Sequence, residues 1–233
     1  MLKNPIFCAV DRPDLEGALS LARTVAPHVG GIKLGLEFFT AQGPRGVEAM
    51  QSLGLPIFLD LKFHDIPNTA AGAVREAARL GVAMLTLHAA GGRAMLEAAV
   101  EAAGAVRARP QLLAVTVLTS LDAHDLAATG IAAPPAEQAV RLGRLALAAG
   151  LDGLVCSPQE IEPLRAAFGG APKLVVPGIR PAGAGDDQKR TLGPARALAL
   201  GADALVIGRP ITGASSPAEA AAAIARELAA EAS

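Results

Sequence analysis

Short runs of Val, Ile and Leu alternate along the chain with Ala- and Leu-rich stretches whose charges recur at helical spacing. The apolar runs predict strands over 6–11, 31–35, 56–62, 83–89, 111–118, 153–157, 173–178 and 203–209, each bounded by turn or cap residues. Between them, segments such as LEGALSLARTVAP (15–27) and GRAMLEAAVEAAGAVR (92–107) place apolar residues at the three- and four-residue intervals of a helix. Two helix starts are spelled out, SPQE at 157–160 and SPAE at 216–219. Each sets Ser at the cap, Pro in the first turn and Glu three residues after Ser.

Eight successive strand–helix units predict a (β/α)8 TIM barrel, a single α/β domain spanning residues 1–233. A doubly wound open sheet is the alternative. It would carry fewer strands, and a dinucleotide-binding version would show G-x-G-x-x-G after the first; here VDRPDLEGAL follows. No linker divides the chain, and the Ala-rich stretch 218–233 reads as a capped final helix.

Composition narrows the picture. Hydrophobic residues make up 52% of the chain but aromatic ones only 3%, with no Trp or Tyr, so the core is expected to be aliphatic. A net charge of −1 without any basic stripe argues against nucleic acid or an anionic membrane surface as a partner. No apolar stretch reaches the length of a membrane span, and the apolar run in MLKNPIFCAVD is too short for a signal peptide. Cys8 and Cys156 lie inside apolar runs with no base beside them. They read as buried reduced thiols, not nucleophiles, and the expected location is cytoplasmic.

In such a barrel the chemistry sits at the C-terminal ends of the strands. Those ends deliver, in order, Asp11, Lys33, Asp60 with Lys62 and then Asp65, His88, Thr119 with Ser120, the turn PGIR with Pro177 and Arg180, and the turn IGR with Gly208 and Arg209. A lone acid or lysine at a strand end is ordinarily solvated or salt-bridged. Three charges within six residues of an apolar strand, with Lys33 and Asp11 at equivalent places, ask for more. Alternation puts Asp60 and Lys62 on one face. Opposite charges can keep one another ionised there and aim a fixed field at a ligand. The Gly-containing turns at 175–180 and 206–211, on adjacent strands and with arginines, suit a phosphate. RPAGAGDDQKR (180–190) reads as a lid or as a plain surface loop.

The motifs resemble the orotidine 5′-phosphate decarboxylase family. FLDLKFHDIPNT (58–69) matches its D-x-K-x-x-D followed by I-P-x-T. AVDRPD (9–14), IKLG (32–35), VTVLTS (115–120), PGIRPAG (177–183), DQKR (187–190) and IGRPIT (207–212) follow in the family's order over nearly the whole chain. The likeness is greatest to the bacterial single-function type. It implies decarboxylation of orotidine 5′-phosphate to uridine 5′-phosphate, the last step of pyrimidine nucleotide synthesis, with no cofactor and no metal. It also implies a homodimer with shared active sites. By the resemblance, Lys62 protonates C6, Asp60 lies near the substrate carboxylate and holds Lys62, and Lys33 joins Asp60 to the ribose. Asp11 binds a ribose hydroxyl, Asp65 and Thr69 reach into the partner's site, and Thr119 and Ser120 meet the pyrimidine. Arg180, Gln188, Gly208 and Arg209 hold the phosphate, with Gln188 on the lid, and Pro177 is counted among the substrate-binding residues.

Two other readings compete. Magnesium-dependent sugar-phosphate relatives share the D-x-K-x-x-D strand, but VTVLTS and GIRPAG…DQKR are like the nucleotide-handling parts of the decarboxylase. A catalytically silent phosphate-binding barrel would have no need of a buried ionic network. Among the histidines, His64 is expected to face away from Lys62, His88 to support the site, and His28 and His124 to lie at the surface. No zinc-binding spacing occurs.

Overall fold

The computed structural model describes residues 4–180 and 192–231; Gln188 and the expected lid beyond Arg180 lie outside them. Eight parallel strands close into a barrel in sequence order. They are β1 (Ile6–Ala9), β2 (Gly31–Leu34), β3 (Ile57–Phe63), β4 (Met84–His88), β5 (Gln111–Val115), β6 (Gly153–Val155), β7 (Lys173–Val176) and β8 (Ala204–Ile207). The helices α1 (Leu15–Val25), α2 (Leu36–Gln51), α3 (Pro67–Arg79) and α4 (Gly92–Gly104) follow the first four strands. α5 (Ala123–Ala128) and α6 (Pro135–Ala148) follow β5, and α7 (Ile161–Phe168) and α8 (Pro194–Ala199) follow β6 and β7. The short α9 (Arg209–Thr212) and long α10 (Pro217–Glu231) complete the ring.

The expected barrel is present, but its strands are shorter than the apolar runs. At β1, β5, β6, β7 and β8 the ladder stops two or three residues early. Asp11, Pro177 and Gly208 therefore sit just beyond the sheet, where no ladder bond constrains the chain. The SPQE motif opens with a 3-10 turn, Pro158–Glu160, and α7 begins only afterwards. The buried Glu160 carboxylate accepts from the Ser157 N–H at 2.8 Å, as the capping spacing requires.

Alternation sorts the core into two layers. Phe7, Phe58, Met84, Leu113, Val175 and Val206 fill the barrel interior. A larger aliphatic layer, including Leu34, Leu59, Leu85 and Leu154, lies between sheet and helices. Phe7 and Phe58 meet edge to face, ring centroids 6.3 Å apart. Gly31 makes room for this pair, because a Cβ there would run into the Phe7 ring. At the opposite end, acids pin the strand starts. Asp152 accepts from the Leu112 N–H and Asp203 from the Leu174 N–H, each at 2.7 Å, and each acid also binds an arginine. Charge at that end is thus committed to the ladder, and the open ends of the strands are left for chemistry. Among the described residues, no helix is long and apolar enough to cross a membrane.

Candidate active site

The site is built on β3. Leu59, Leu61 and Phe63 point outward into the helix-facing layer, which leaves Phe58, Asp60 and Lys62 on the other face. The pairing with β4 is irregular. Phe58 and Leu59 sit opposite Met84 and Leu85, but the next partner of Leu87 is Phe63. β3 thus spends four residue steps where β4 spends two. The excess is even, so the inside–outside alternation survives, whereas one extra residue would flip it. The distortion is absorbed at Lys62, the sole described non-glycine residue with positive φ, at 52°. A side chain held there costs about 1–3 kcal/mol, a strain that the surrounding structure must impose.

Four charges alternate in a chain across the strand ends. Lys62 Nζ lies 2.9 Å from Asp60 Oδ2, and Lys33 Nζ lies 3.8 Å from the same oxygen. Lys33 Nζ also donates to both Asp11 oxygens, at 3.0 and 3.1 Å, and the Gly35 N–H donates to Asp11 Oδ1 at 3.1 Å. Lys33 is only 7% exposed. An unpaired ammonium buried to that degree would cost several kcal/mol; two carboxylates offset the loss of water. The four formal charges sum to zero, as expected from the sequence.

Thr86, on β4, is a further member that the strand pattern did not reveal. Its hydroxyl accepts from the Lys62 N–H and donates to Asp60 Oδ1, both at 2.9 Å. A polar residue two places before His88 in AMLTLHA was the available signal.

Two cavities meet over this chain. One, of about 460 Å³, is lined by Asp11, Arg12, Gly178, Arg180, Gly208 and Arg209. The other, of about 200 Å³, has Asp60, Lys62 and Thr119 beside apolar walls from Val115, Val155 and Phe58. Lys33, Pro177 and Val206 line both. The combined space has one strongly cationic end and one largely apolar end, with the ionic chain at the junction. Arg12 and Thr212 also line the larger cavity. Neither was given a role from the sequence, though Arg12 lies within AVDRPD and Thr212 closes IGRPIT.

The remaining expected residues lie elsewhere. Ser120 is exposed and lines neither cavity. Asp65 and Thr69 are exposed at the start of α3. Asp65 Oδ1 accepts from the Ile66 N–H at 2.7 Å, and no described ion pair joins Asp65 to Lys62 or Lys33. Instead Asp65 lines an open recess of about 560 Å³ with His64, Ile66, Pro67, Ala90 and Gly91.

His64 is exposed, with its ring centroid 5.4 Å from that of half-buried His88. Burial first, then the charges of His64 and Lys62, push His88 below its usual range, against a smaller pull upward from Asp60. The unfolded chain takes up this proton as pH falls through about 6.5, while the folded chain resists it until lower pH. The stability contribution is therefore complete above about pH 6.5 and is lost as pH falls towards the folded-state value. Wild type is expected to lose Tm between about pH 7 and pH 5, and His88→Asn to lose less. Equal slopes in a thermal melt series would show that His88 is not the group responsible.

Both cysteines are buried, and neither is in a disulfide. Burial, aided by Asp11, pushes the Cys8 thiol up to about 12, which rules it out as a nucleophile near neutral pH. Among the described residues, one group of three potential metal ligands lies close together: Asp122, His124 and Asp125. Asp122 is committed to capping α5, accepting from the N–H groups of His124 and Asp125.

Comparison with known proteins adds to this geometry. Residues 4–224 match the model of the orotidine 5′-phosphate decarboxylase / HUMPS family. The chain is 56% identical over 225 residues to an orotidine 5′-phosphate decarboxylase of Anaeromyxobacter sp. strain K, covering 96% of this chain and 97% of that one. It is 52% identical over 231 residues to the enzyme of that name from Paramagnetospirillum magneticum, covering 97% and 98%. A solved orotidine 5′-phosphate decarboxylase from Lactobacillus acidophilus superposes with a TM-score of 0.85 at 36% identity, covering 97% of this chain and 99% of that one. An uncharacterised conserved protein from Geobacillus kaustophilus gives 0.83 at 35% identity, covering 96% and 100%.

Proposed function

The chain belongs to the orotidine 5′-phosphate decarboxylase / HUMPS family, and from that premise we propose that it converts orotidine 5′-phosphate to uridine 5′-phosphate and CO2, using neither metal nor organic cofactor. The observation that carries this reading is the Asp11–Lys33–Asp60–Lys62 chain at the junction of a cationic and an apolar cavity. A nucleotide has that polarity, with a phosphate at one end and a flat ring at the other. Arg180 and Arg209, with backbone at Gly178 and Gly208, take the phosphate, joined by Gln188. Asp11 and Lys33 take the ribose hydroxyls. The ring lies in the smaller cavity with its C6 carboxylate towards Asp60 and Lys62, Pro177 beside it, and Thr119 at its polar edge.

The C6–carboxylate bond breaks, CO2 leaves, and the electron pair stays on C6 in an orbital that the ring does not delocalise. Lys62 stabilises that pair as a cation and then transfers a proton from Nζ to C6, to be reprotonated by solvent. Binding the remote phosphate holds the ring against Lys62, so that part of the binding energy serves the transition state. We place the enzyme in the cytoplasm, on the strength of two buried cysteines that form no disulfide, and read it as a single barrel domain. It works as a homodimer. The two large hydrophobic side chains most exposed among the described residues, Ile66 at 68% and Leu36 at 56%, follow neighbouring strands β3 and β2. Ile66 adjoins Asp65, the residue expected to cross into the partner's site.

The test is to add orotidine 5′-phosphate to purified protein in EDTA and follow the orotate chromophore. The chain lacks Trp and Tyr, so its own absorbance hardly interferes. Metal-independent loss of the chromophore, with uridine 5′-phosphate as product, is expected. A folded protein that turns over only sugar phosphates with magnesium would overturn the reading.

A further inference from the structure

Thr86 is fully buried on β4, opposite the stretch where β3 loses its regular register. A regular ladder would give the Lys62 N–H a backbone acceptor. Here the acceptor is Thr86 Oγ1, at 2.9 Å. A hydroxyl has a single proton, and this one is directed to Asp60 Oδ1, also at 2.9 Å. With Oδ1 occupied, Oδ2 is turned to Lys62 Nζ at 2.9 Å, with Lys33 Nζ at 3.8 Å. One side chain therefore touches both ends of the acid–base pair: the backbone of Lys62, strained at φ 52°, and the carboxylate its ammonium faces.

We propose that Thr86 is a positioning residue for proton delivery, its hydroxyl setting both the backbone of Lys62 and the rotation of the Asp60 carboxylate. It acts through them and lines neither cavity. The proposal rests on the decarboxylase reading above. Without the hydroxyl, the half-buried Lys62 N–H loses its acceptor and Asp60 is free to turn either oxygen to the lysine. A proton donor displaced by a fraction of an ångström loses transition-state contacts while the phosphate and ribose contacts, farther off, persist.

Thr86→Val keeps the shape and removes the hydroxyl. Its kcat is expected to fall on the order of tenfold to a hundredfold, with KM and uridine 5′-phosphate affinity within about threefold of wild type. Thr86→Ser restores the hydroxyl and is expected to return kcat to within about threefold. A purely structural hydroxyl would lower Tm and leave kcat per folded molecule unchanged, and that result overturns the proposal. Should Thr86→Val fail to fold, Thr86→Cys keeps the size with only a weak donor and acceptor; wild-type kcat in that variant overturns it equally. An active wild type with unaffected variants refutes Thr86 alone, whereas a wild type inactive on orotidine 5′-phosphate brings down the decarboxylase reading and this proposal together.

Discussion

Lys62→Ala is expected to lose turnover by about 10⁴-fold or more while remaining folded. Two effects vanish together. General acid catalysis is typically worth about 10²–10⁴, and a charge aimed at a developing anion about 10²–10³. The methyl of Ala supplies neither, and Lys33 is held by Asp11 on the far side of Asp60. The loss should fall on kcat, because the groups assigned to the phosphate and ribose are elsewhere in the cavity. Folding is expected to survive, since Asp60 keeps the Thr86 hydroxyl and Lys33 as partners. Lys62→Gly sharpens the comparison. It is equally inactive, but it removes the Cβ that strains the backbone at φ 52°, so it should melt no lower than Lys62→Ala. Activity and thermal melts on the two variants check both halves. Substantial turnover in Lys62→Ala would remove Lys62 from its role.

That strain shows where sequence reading stops. The eight strands were legible because a buried parallel strand is a short apolar run between turns, and Ile57–Phe63 is such a run. Alternation put Asp60 and Lys62 on one face correctly, yet for an incomplete reason. The four-against-two register between β3 and β4 preserves the parity, and nothing in FLDLKF signals it, since positive φ is usually marked by Gly or Asn. Thr86 was hidden by the same logic. Thr is a good strand former and looks unremarkable within a strand; only the partner strand shows what its hydroxyl meets. Arg12 escaped because a charged residue just past a strand end is ordinarily solvated. The strand ends were overestimated because apolar side chains continue beyond the last ladder bond, as at Val117, which is buried past the end of β5. The motif around residue 60 runs on to Asp65 without a break. The turn after β3 nevertheless sends Asp65 to the outside, and no property of one chain's sequence separates a residue serving its own site from one serving a neighbour's.

Asp65→Asn is expected to be nearly inactive alone, and to regain activity when mixed with Lys62→Ala. Within one subunit Asp65 is exposed, bonded to the neighbouring Ile66 N–H and lining an open recess rather than either cavity of the site. The exposed Ile66 beside it, with Leu36 near the end of β2, gives that face the apolar character of a contact between copies. In the proposed homodimer the recess of one subunit would face the strand ends of the other across a two-fold axis, and Asp65 would meet the partner's lysine. Both defects of a mixed dimer then fall in one site, where the Lys62→Ala subunit lacks the lysine and the Asp65→Asn subunit lacks the acid. The second site is wild type. Equal amounts, unfolded together and refolded, give about half mixed dimers with one working site each, and hence about a quarter of wild-type activity. If Asp65 serves its own subunit, each site of the mixed dimer keeps one defect and no activity returns. Recovery near a quarter and recovery near zero are far enough apart for a single assay to decide, and the second outcome would end the shared-site reading.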